Sequence, residues 1–160
     1  MTTAADGTFS LPVSPKGVTS YRAEWAGGTI DTVVYPPASA GVRVDVKAKV
    51  SVAVSKYNSR SGKYYRYKLG RTVYVKGTVT PNHYRLDDGA TAGKVTVTAY
   101  KYKSTGWAKV KSSTRTLTST SRYTWSWKPS ARGTYKLATT FKGDPSHLGA
   151  TSTYKYVKVY

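Results

Sequence analysis

The stretch Arg122–Asp144, which reads RYTWSWKPSARGTYKLATTFKGD, decides the fold. Large aromatic side chains alternate with polar ones in its first half, and alternation with a period of two predicts a half-buried β-strand. Pro129 ends this strand because proline cannot donate to a sheet. After a turn at Gly133, a second alternating strand follows. The inward positions predicted for the two strands are Tyr123, Trp125, Trp127, Tyr135, Leu137, Thr139 and Phe141.

The whole chain of 160 residues has the composition of an all-β protein. No segment keeps the apolar spacing of an amphipathic helix for more than a turn. No run of eighteen apolar residues occurs, so we expect no membrane span, and the first ten residues lack the pattern of a signal peptide. The absence of cysteine excludes disulfides, thiolate metal sites and cysteine nucleophiles.

The charge is distributed unevenly along the chain. Up to Ala48, four basic residues balance four acidic ones, whereas the remainder holds 22 basic residues and three acidic ones, and hence the whole net charge of +19. Thirteen of the fifteen tyrosines lie in this basic part. The two parts therefore need not share one function.

An internal repeat relates the two parts. The segment GTFSLPVSPKGVTSYRAEWAGG near the start aligns with the opening stretch at a spacing of about 115 residues, the size of a small sandwich domain. The alignment places Phe9, Leu11 and Val13 in a first strand. We therefore predict that residues 1–48 are the last three strands of one unit and that residues 49–160 are a complete unit. A start inside a repeat suggests a piece of a longer chain, or strands that pair with another chain.

Several motifs resemble bacterial immunoglobulin-like repeat domains of secreted and cell-surface proteins, of the type found in high-GC Gram-positive bacteria. They are GRTVYVKGTVTP, GKVTVTAYKYKSTGWAKVKSS, the opening stretch, and STYKYVKV near the end. The resemblance implies an immunoglobulin-like β-sandwich of about seven strands with Tyr135 in a tyrosine corner. It also implies an extracellular or cell-surface location, a stalk or adhesion role, and neighbouring immunoglobulin-like repeats as partners.

The sequence offers no pattern for catalysis. It contains no nucleophile motif, no phosphate-binding glycine loop and only two histidines. His83 lies near Asp87 and Asp88, and His147 lies three residues after Asp144, but neither loop has a known metal-ligand spacing. We therefore predict no catalytic, cofactor-binding or metal-binding residue, and a melting temperature that a chelator leaves unchanged.

A basic and aromatic surface is the remaining candidate site. Tyrosine beside lysine or arginine suits binding of sugars by ring stacking and of anions by charge. Exposed strands also use these residues for propensity and edge protection, so this simpler explanation stays open. The predicted polyanion-binding residues are Lys76, Lys101, Lys155, Lys158, Arg66, Lys68, Tyr74, Tyr154 and Tyr156.

The predicted partner of this surface is an anionic cell-envelope polymer or glycan. An alternative is a nucleic acid, since the isoelectric point near 10.1 would suit DNA or RNA. Against that alternative, no nucleic-acid-binding motif occurs and the lysines are spread over many strands. A third possibility is a component of a virion or appendage surface.

Overall fold

The computed structural model describes residues 8–86 and 89–160 and contains only β-strands in them. This confirms the all-β prediction. The chain divides into two compact units, one ending at Val46 and the other running from Lys47 to Tyr160. We call them unit 1 and unit 2. The division lies within two residues of the boundary expected from the repeat. None of the described residues forms a helix that could span a membrane.

Fifteen strands are present in the described residues. Those of unit 1 are β1 (Thr19–Trp25), β2 (Gly28–Ile30), β3 (Val33–Tyr35) and β4 (Ala38–Val44). Those of unit 2 are β5 (Lys49–Val50), β6 (Ala53–Ser55), β7 (Ser59–Ser61), β8 (Tyr64–Tyr67), β9 (Val73–Thr80), β10 (Lys94–Lys103), β11 (Gly106–Thr116), β12 (Arg122–Trp127), β13 (Gly133–Asp144), β14 (His147–Thr151) and β15 (Lys155–Val159).

Unit 2 is a two-sheet sandwich with an immunoglobulin-like strand order. The smaller sheet has the order β12-β9-β5, and β6 also pairs with β9. The larger sheet has the order β11-β10-β13-β15-β8-β7, and β14 pairs with β13. The chain crosses between the sheets after β6, β8, β9, β11 and β12, as in Greek-key sandwiches. The pairs are antiparallel except that β15 and β8 run parallel.

The core of unit 2 lies between the two sheets and follows the predicted alternation. Inward residues of β9, β10, β12, β13 and β15 are buried in one cluster. They include Val73, Val75, Val95, Val97, Tyr123, Trp125, Tyr135, Leu137, Phe141, Val157 and Val159.

Trp127 differs from the prediction because it is only partly buried. It lies at the last position of β12, where the sheet ends. Its ring stacks parallel to that of Trp125, with centroids 6.0 Å apart, and meets the Tyr135 ring edge-on at 5.1 Å. Trp127 therefore covers the end of the core.

Tyr135 forms the expected tyrosine corner. Its hydroxyl donates a hydrogen bond to the carbonyl oxygen of Ala131, 2.6 Å away and four residues upstream. The chain between them passes through Gly133, whose φ of 144° is unfavourable for residues with a side chain. The bond holds the entry to β13 against the sandwich.

Two other buried tyrosines connect the sheets. The Tyr123 hydroxyl on β12 lies 2.7 Å from both the Ser51 carbonyl oxygen and Oγ1 of Thr139 on β13. The Tyr67 hydroxyl on β8 donates to the Ser55 carbonyl oxygen on β6 at 2.6 Å. Gly77 is paired with Tyr123, and a Cβ atom there would overlap the Tyr123 phenol. The two sheets of this cysteine-free chain are thus connected by phenol hydrogen bonds.

Unit 1 is a long, two-stranded ribbon in its described part. β1 pairs with β4 from Thr19↔Val44 to Trp25↔Ala38, and β2 pairs with β3 beyond them. The strand predicted at Phe9, Leu11 and Val13 is absent, and these three side chains are exposed. Its counterpart β12 is held in unit 2 by β9, and the described residues of unit 1 contain no strand equivalent to β9.

The ribbon has one apolar and one polar face. Tyr21, Ala23 and Trp25 share a face with their β4 partners, whereas Arg22 and Glu24 on the opposite face form an ion pair of 2.9 Å. The apolar face is open, with Trp25 50% and Val42 60% exposed. A two-stranded ribbon is marginally stable by itself, because it has no second layer against which to bury its apolar face.

The two neighbouring tryptophans of β12 should differ in their effect on stability. Trp125→Ala should lower the free energy of unfolding by roughly 3–5 kcal/mol, as expected for a buried aromatic truncation. Trp127→Ala should cost clearly less because this ring stays partly in solvent. Urea unfolding followed by circular dichroism measures both, and a larger loss for Trp127→Ala would show that the β12 register is wrong.

The buried phenols should make unit 2 sensitive to alkali. Burial raises the pKa of Tyr123 to about 12 and that of Tyr67 further, against about 10 in the unfolded chain. The fold favours the neutral phenol, so this stabilisation is complete below pH ~10 and is lost as the pH rises from there towards ~12. At pH 7, Tyr123→Phe should be less stable than the wild type, because it lacks the hydroxyl that makes these hydrogen bonds. Between pH ~10 and ~12, its free energy of unfolding should fall by less than that of the wild type. Equal losses over that range would contradict the assignment.

Candidate functional site on the larger sheet

The outer face of the larger sheet brings cations and aromatic rings into rows. Alternate residues of each strand point away from the core, and the strand register aligns them across neighbours. One row crosses five strands through Lys109 on β11, Tyr100 on β10, Lys136 on β13, Tyr156 on β15 and Tyr64 on β8. The strand pairing thus assembles a surface from residues up to 92 positions apart, Tyr64 and Tyr156.

The next row continues the same pattern. Trp107 pairs with Tyr102 at one end, and Lys158 pairs with Thr134 and Arg66 at the other. We call the combined surface the cation–aromatic face. It consists of Lys63, Tyr64, Arg66, Tyr100, Tyr102, Trp107, Lys109, Lys136, Tyr154, Tyr156, Lys158 and Tyr160.

Lys136 lies at the centre of this face, enclosed by three rings. Its Nζ atom is 4.1 Å from the ring centroid of Tyr154, 4.8 Å from that of Trp107 and 5.4 Å from that of Tyr100. Each contact is within the range of a cation–π interaction. The rings hold the ammonium group in place without neutralising its charge, so it stays available to an anion.

The rings also form a continuous platform. Tyr102 contacts Trp107 at 5.3 Å between centroids, Trp107 contacts Tyr156 at 6.1 Å, and Tyr156 contacts Tyr64 at 5.9 Å. The Lys63 ammonium lies 4.6 Å from the Tyr156 ring centroid. The rings meet at interplanar angles between 59° and 69°, so they limit one another's motion and give the face a defined, corrugated shape.

A shallow depression lies beside this platform, lined by Ser61, Tyr64, Arg66, Thr134 and Lys158. The Arg66 guanidinium is fixed 4.7 Å from the Tyr160 ring centroid. Its Nε atom is buried and has no hydrogen-bond partner in the described part of the chain. Two cations and three hydroxyl groups thus border one concave site, which suits a phosphate, sulfate or carboxylate group.

No acidic side chain neutralises the face among the described residues. In residues 47–86 and 89–160 the only acidic side chain is Asp144, and it is buried, with 1% of the side chain exposed. The ion pairs Arg22–Glu24 and Arg43–Asp45 belong to unit 1. The lysines and arginines of the described surface of unit 2 therefore act together as a positive field.

The predicted site residues fall on different surfaces. Arg66, Lys158, Tyr154 and Tyr156 belong to the cation–aromatic face, and Lys68 is exposed just beyond the end of β8. The predicted polyanion-binding residues therefore do not form one continuous surface.

The other predicted residues lie elsewhere for physical reasons. Lys76 and Tyr74 belong to β9 and point outward from the smaller sheet, where the Lys56 ammonium lies 4.5 Å from the Tyr74 ring. Lys101 and Lys155 have inward parity in the larger sheet, paired with Tyr135 and Leu137 near the end of the core. Both are partly buried there.

Among the residues of the cation–aromatic face that were missing from the prediction are Lys63, Trp107 and Lys136. The alternation in the opening stretch already indicates that Lys136 points outward. The sequence does not reveal that β13 lies between β10 and β15, and only this arrangement places Tyr100, Tyr154 and Trp107 around Lys136.

Side chains that could hold a metal ion form one cluster in the described residues: His83, Asp144 and His147. Sequence reasoning assessed the two histidines in separate loops and grouped His83 with Asp87 and Asp88, which lie outside the described residues. The structure instead places the ring of His83 against the β13–β14 turn that carries Asp144 and His147.

Comparison with known proteins finds a likeness to a solved structure. No family model matches the chain, and no curated protein sequence matches it significantly. The chain is similar to the CARDB domain of a Pyrococcus furiosus protein, solved in complex with di-metal ions, at 14% identity and a TM-score of 0.36. The match covers 73% of this chain and 93% of that domain. A likeness of this extent supports no inference about the function of this chain.

Proposed function

We propose that unit 2 is a non-catalytic, immunoglobulin-like module that binds an anionic polymer on its cation–aromatic face. The observation that carries this proposal is the Lys136 ammonium, enclosed by three rings on a face without a described acidic side chain. A positive charge held this way attracts anions while the adjoining rings offer apolar surface. This combination suits a polymer that carries both sugar rings and acidic groups.

We propose an anionic cell-envelope polysaccharide or glycan as the polymer. Lys109 and Lys136 lie in one row with a single strand between them, so their backbones are roughly 10 Å apart at the usual strand spacing. Duplex DNA carries one charge per ~1.7 Å of its axis and is far more densely charged. This spacing favours a polymer with widely spaced anionic groups over a nucleic acid.

We also propose the stalk or adhesion role at the cell surface that the resemblance implies. Neighbouring immunoglobulin-like repeats would be partners of unit 1. The open apolar face of β1 and β4 supports this, since it shows the same alternation that β13 and β15 bury against the smaller sheet. Arg22 and Glu24 keep the opposite ribbon face polar, so the apolar face is the one that another repeat would cover.

Two variants with equal charge should separate a binding face from a general charge effect. The test variant changes Lys63, Lys136 and Lys158 to Glu on the cation–aromatic face. The control changes three exposed residues to Glu: Lys76 of β9, Arg122 of β12 and Lys128 of the loop after β12. Isothermal titration with a soluble anionic polysaccharide should give at least a tenfold weaker affinity for the test variant and a much smaller loss for the control. Equal losses would reduce the binding to net charge alone.

Binding should also depend steeply on salt, because each neutralised charge releases a counterion. We expect the affinity of the wild type to fall steeply as the NaCl concentration is raised from about 50 to about 200 mM. A polysaccharide, a single-stranded DNA and a duplex RNA of similar length should be compared at each salt concentration. Tighter binding of either nucleic acid at ~150 mM salt would favour the nucleic-acid alternative.

A further inference from the structure

We propose that His83, Asp144 and His147 form a binding site for a divalent transition metal ion of the Zn²⁺ class. This site is separate from the cation–aromatic face and does not depend on the proposed function. His83 lies in the loop after β9, Asp144 is the last residue of β13 and His147 is the first of β14. The three residues are thus brought together by the meeting of a loop with a tight strand connection.

The geometry of the cluster is compact. Each residue can offer one ligand atom so that the three atoms lie within 4.8 Å of one another. Nδ1 of His83 is 2.7 Å from Oδ2 of Asp144, and Nδ1 of His147 is 3.8 Å from Oδ1. The two imidazole rings meet edge to face with centroids 4.8 Å apart. Ligand atoms around a tetrahedral zinc ion with bonds of ~2.0–2.2 Å lie about 3.3–3.6 Å apart. An ion would therefore replace the hydrogen bond between His83 and Asp144, with small side-chain shifts.

Backbone contacts fix the carboxylate independently of any ion. Oδ1 of Asp144 accepts hydrogen bonds from the backbone N–H groups of Ser146, at 3.1 Å, and His147, at 2.8 Å. These bonds close the β13–β14 turn and leave Oδ2 directed towards His83. Gly143, with a φ of 92°, allows the close approach of Gly149 that this turn requires. The carboxylate is therefore oriented in advance.

Burial makes the cluster more than a surface coincidence. The exposed side-chain fractions are 3% for His83, 1% for Asp144 and 8% for His147. Nε2 of His83 is buried and has no hydrogen-bond partner among the described residues. A buried polar atom without a partner is costly, and the present arrangement of His83 carries that cost.

The ligand set indicates the kind of ion. Imidazole nitrogens are typical ligands of zinc and related transition metals, whereas calcium and magnesium prefer all-oxygen sites. Two imidazoles and one carboxylate therefore favour Zn²⁺ over Ca²⁺. A bound ion would link the loop after β9 to the β13–β14 turn and so tie the smaller sheet to the larger one at this end of the sandwich.

The test uses the full chain, without a histidine tag and treated with a chelator. The chain has two histidines and no cysteine, so no other imidazole or thiolate can bind the ion. Isothermal titration with ZnCl₂ should give one ion per chain, and the melting temperature should rise by several degrees with ZnCl₂ but not with CaCl₂. His83→Gln and His147→Gln should each weaken Zn²⁺ binding by at least tenfold while circular dichroism shows a folded chain.

Two results would overturn the site. One is a wild-type chain whose melting temperature is unaffected by ZnCl₂ and which binds no ion. The other is undiminished binding by both folded histidine variants. Asp144→Asn also alters the turn, so it serves only as a third variant whose melting temperature is measured without metal. Polymer affinity should be the same with and without ZnCl₂, which keeps this test distinct from that of the cation–aromatic face.

Discussion

The phenol of Tyr123 is the contact on which the sandwich depends most. Its ring lies in the core on the smaller sheet. Its hydroxyl bonds to the Ser51 carbonyl oxygen beside that sheet and to Thr139 on the larger sheet. A hydroxyl in a valine-rich core is tolerated only when it is hydrogen-bonded, so this bond fixes how the sheets face each other. Gly77 follows from it, because any side chain there would displace the ring. Tyr67 on β8 makes a similar hydrogen bond across the sandwich, to the Ser55 carbonyl oxygen on β6.

The fixed sheets determine what the outer surface can do. Once β13 lies between β10 and β15, Lys136 has aromatic neighbours on both sides, and the ring contacts stabilise its position. A cation prepared in this way loses less conformational entropy when it meets an anion. The same core that excludes water therefore supports a binding surface on its outside, and few acidic residues in unit 2 oppose it.

The sequence predicted which segments form strands better than it predicted which strands lie side by side in a sheet. Alternation in the opening stretch identified the inward Trp125, Tyr135 and Phe141, because burial of every second residue is a local property of a strand. The tyrosine corner was implied by the resemblance to immunoglobulin-like repeats. The grouping of Lys76 with Lys158 failed because strand order is a non-local property. The meeting of His83 with Asp144 was missed for the same reason, since 61 residues separate them. The predicted strand at Phe9 lacks a pairing partner in the described part of unit 1.

The most direct test of the cation–aromatic face is a map of contacts at single residues. In a ¹H–¹⁵N spectrum of the full chain, titrated with a soluble anionic polysaccharide, the four tryptophan indole N–H signals report on separate places. The account predicts that the Trp107 signal shifts with the backbone signals of Lys136, Tyr156 and Lys158, whereas Trp25 and Trp125 stay unchanged. Shifts centred on Tyr74 and Lys76, or spread evenly over both sheets, would contradict it.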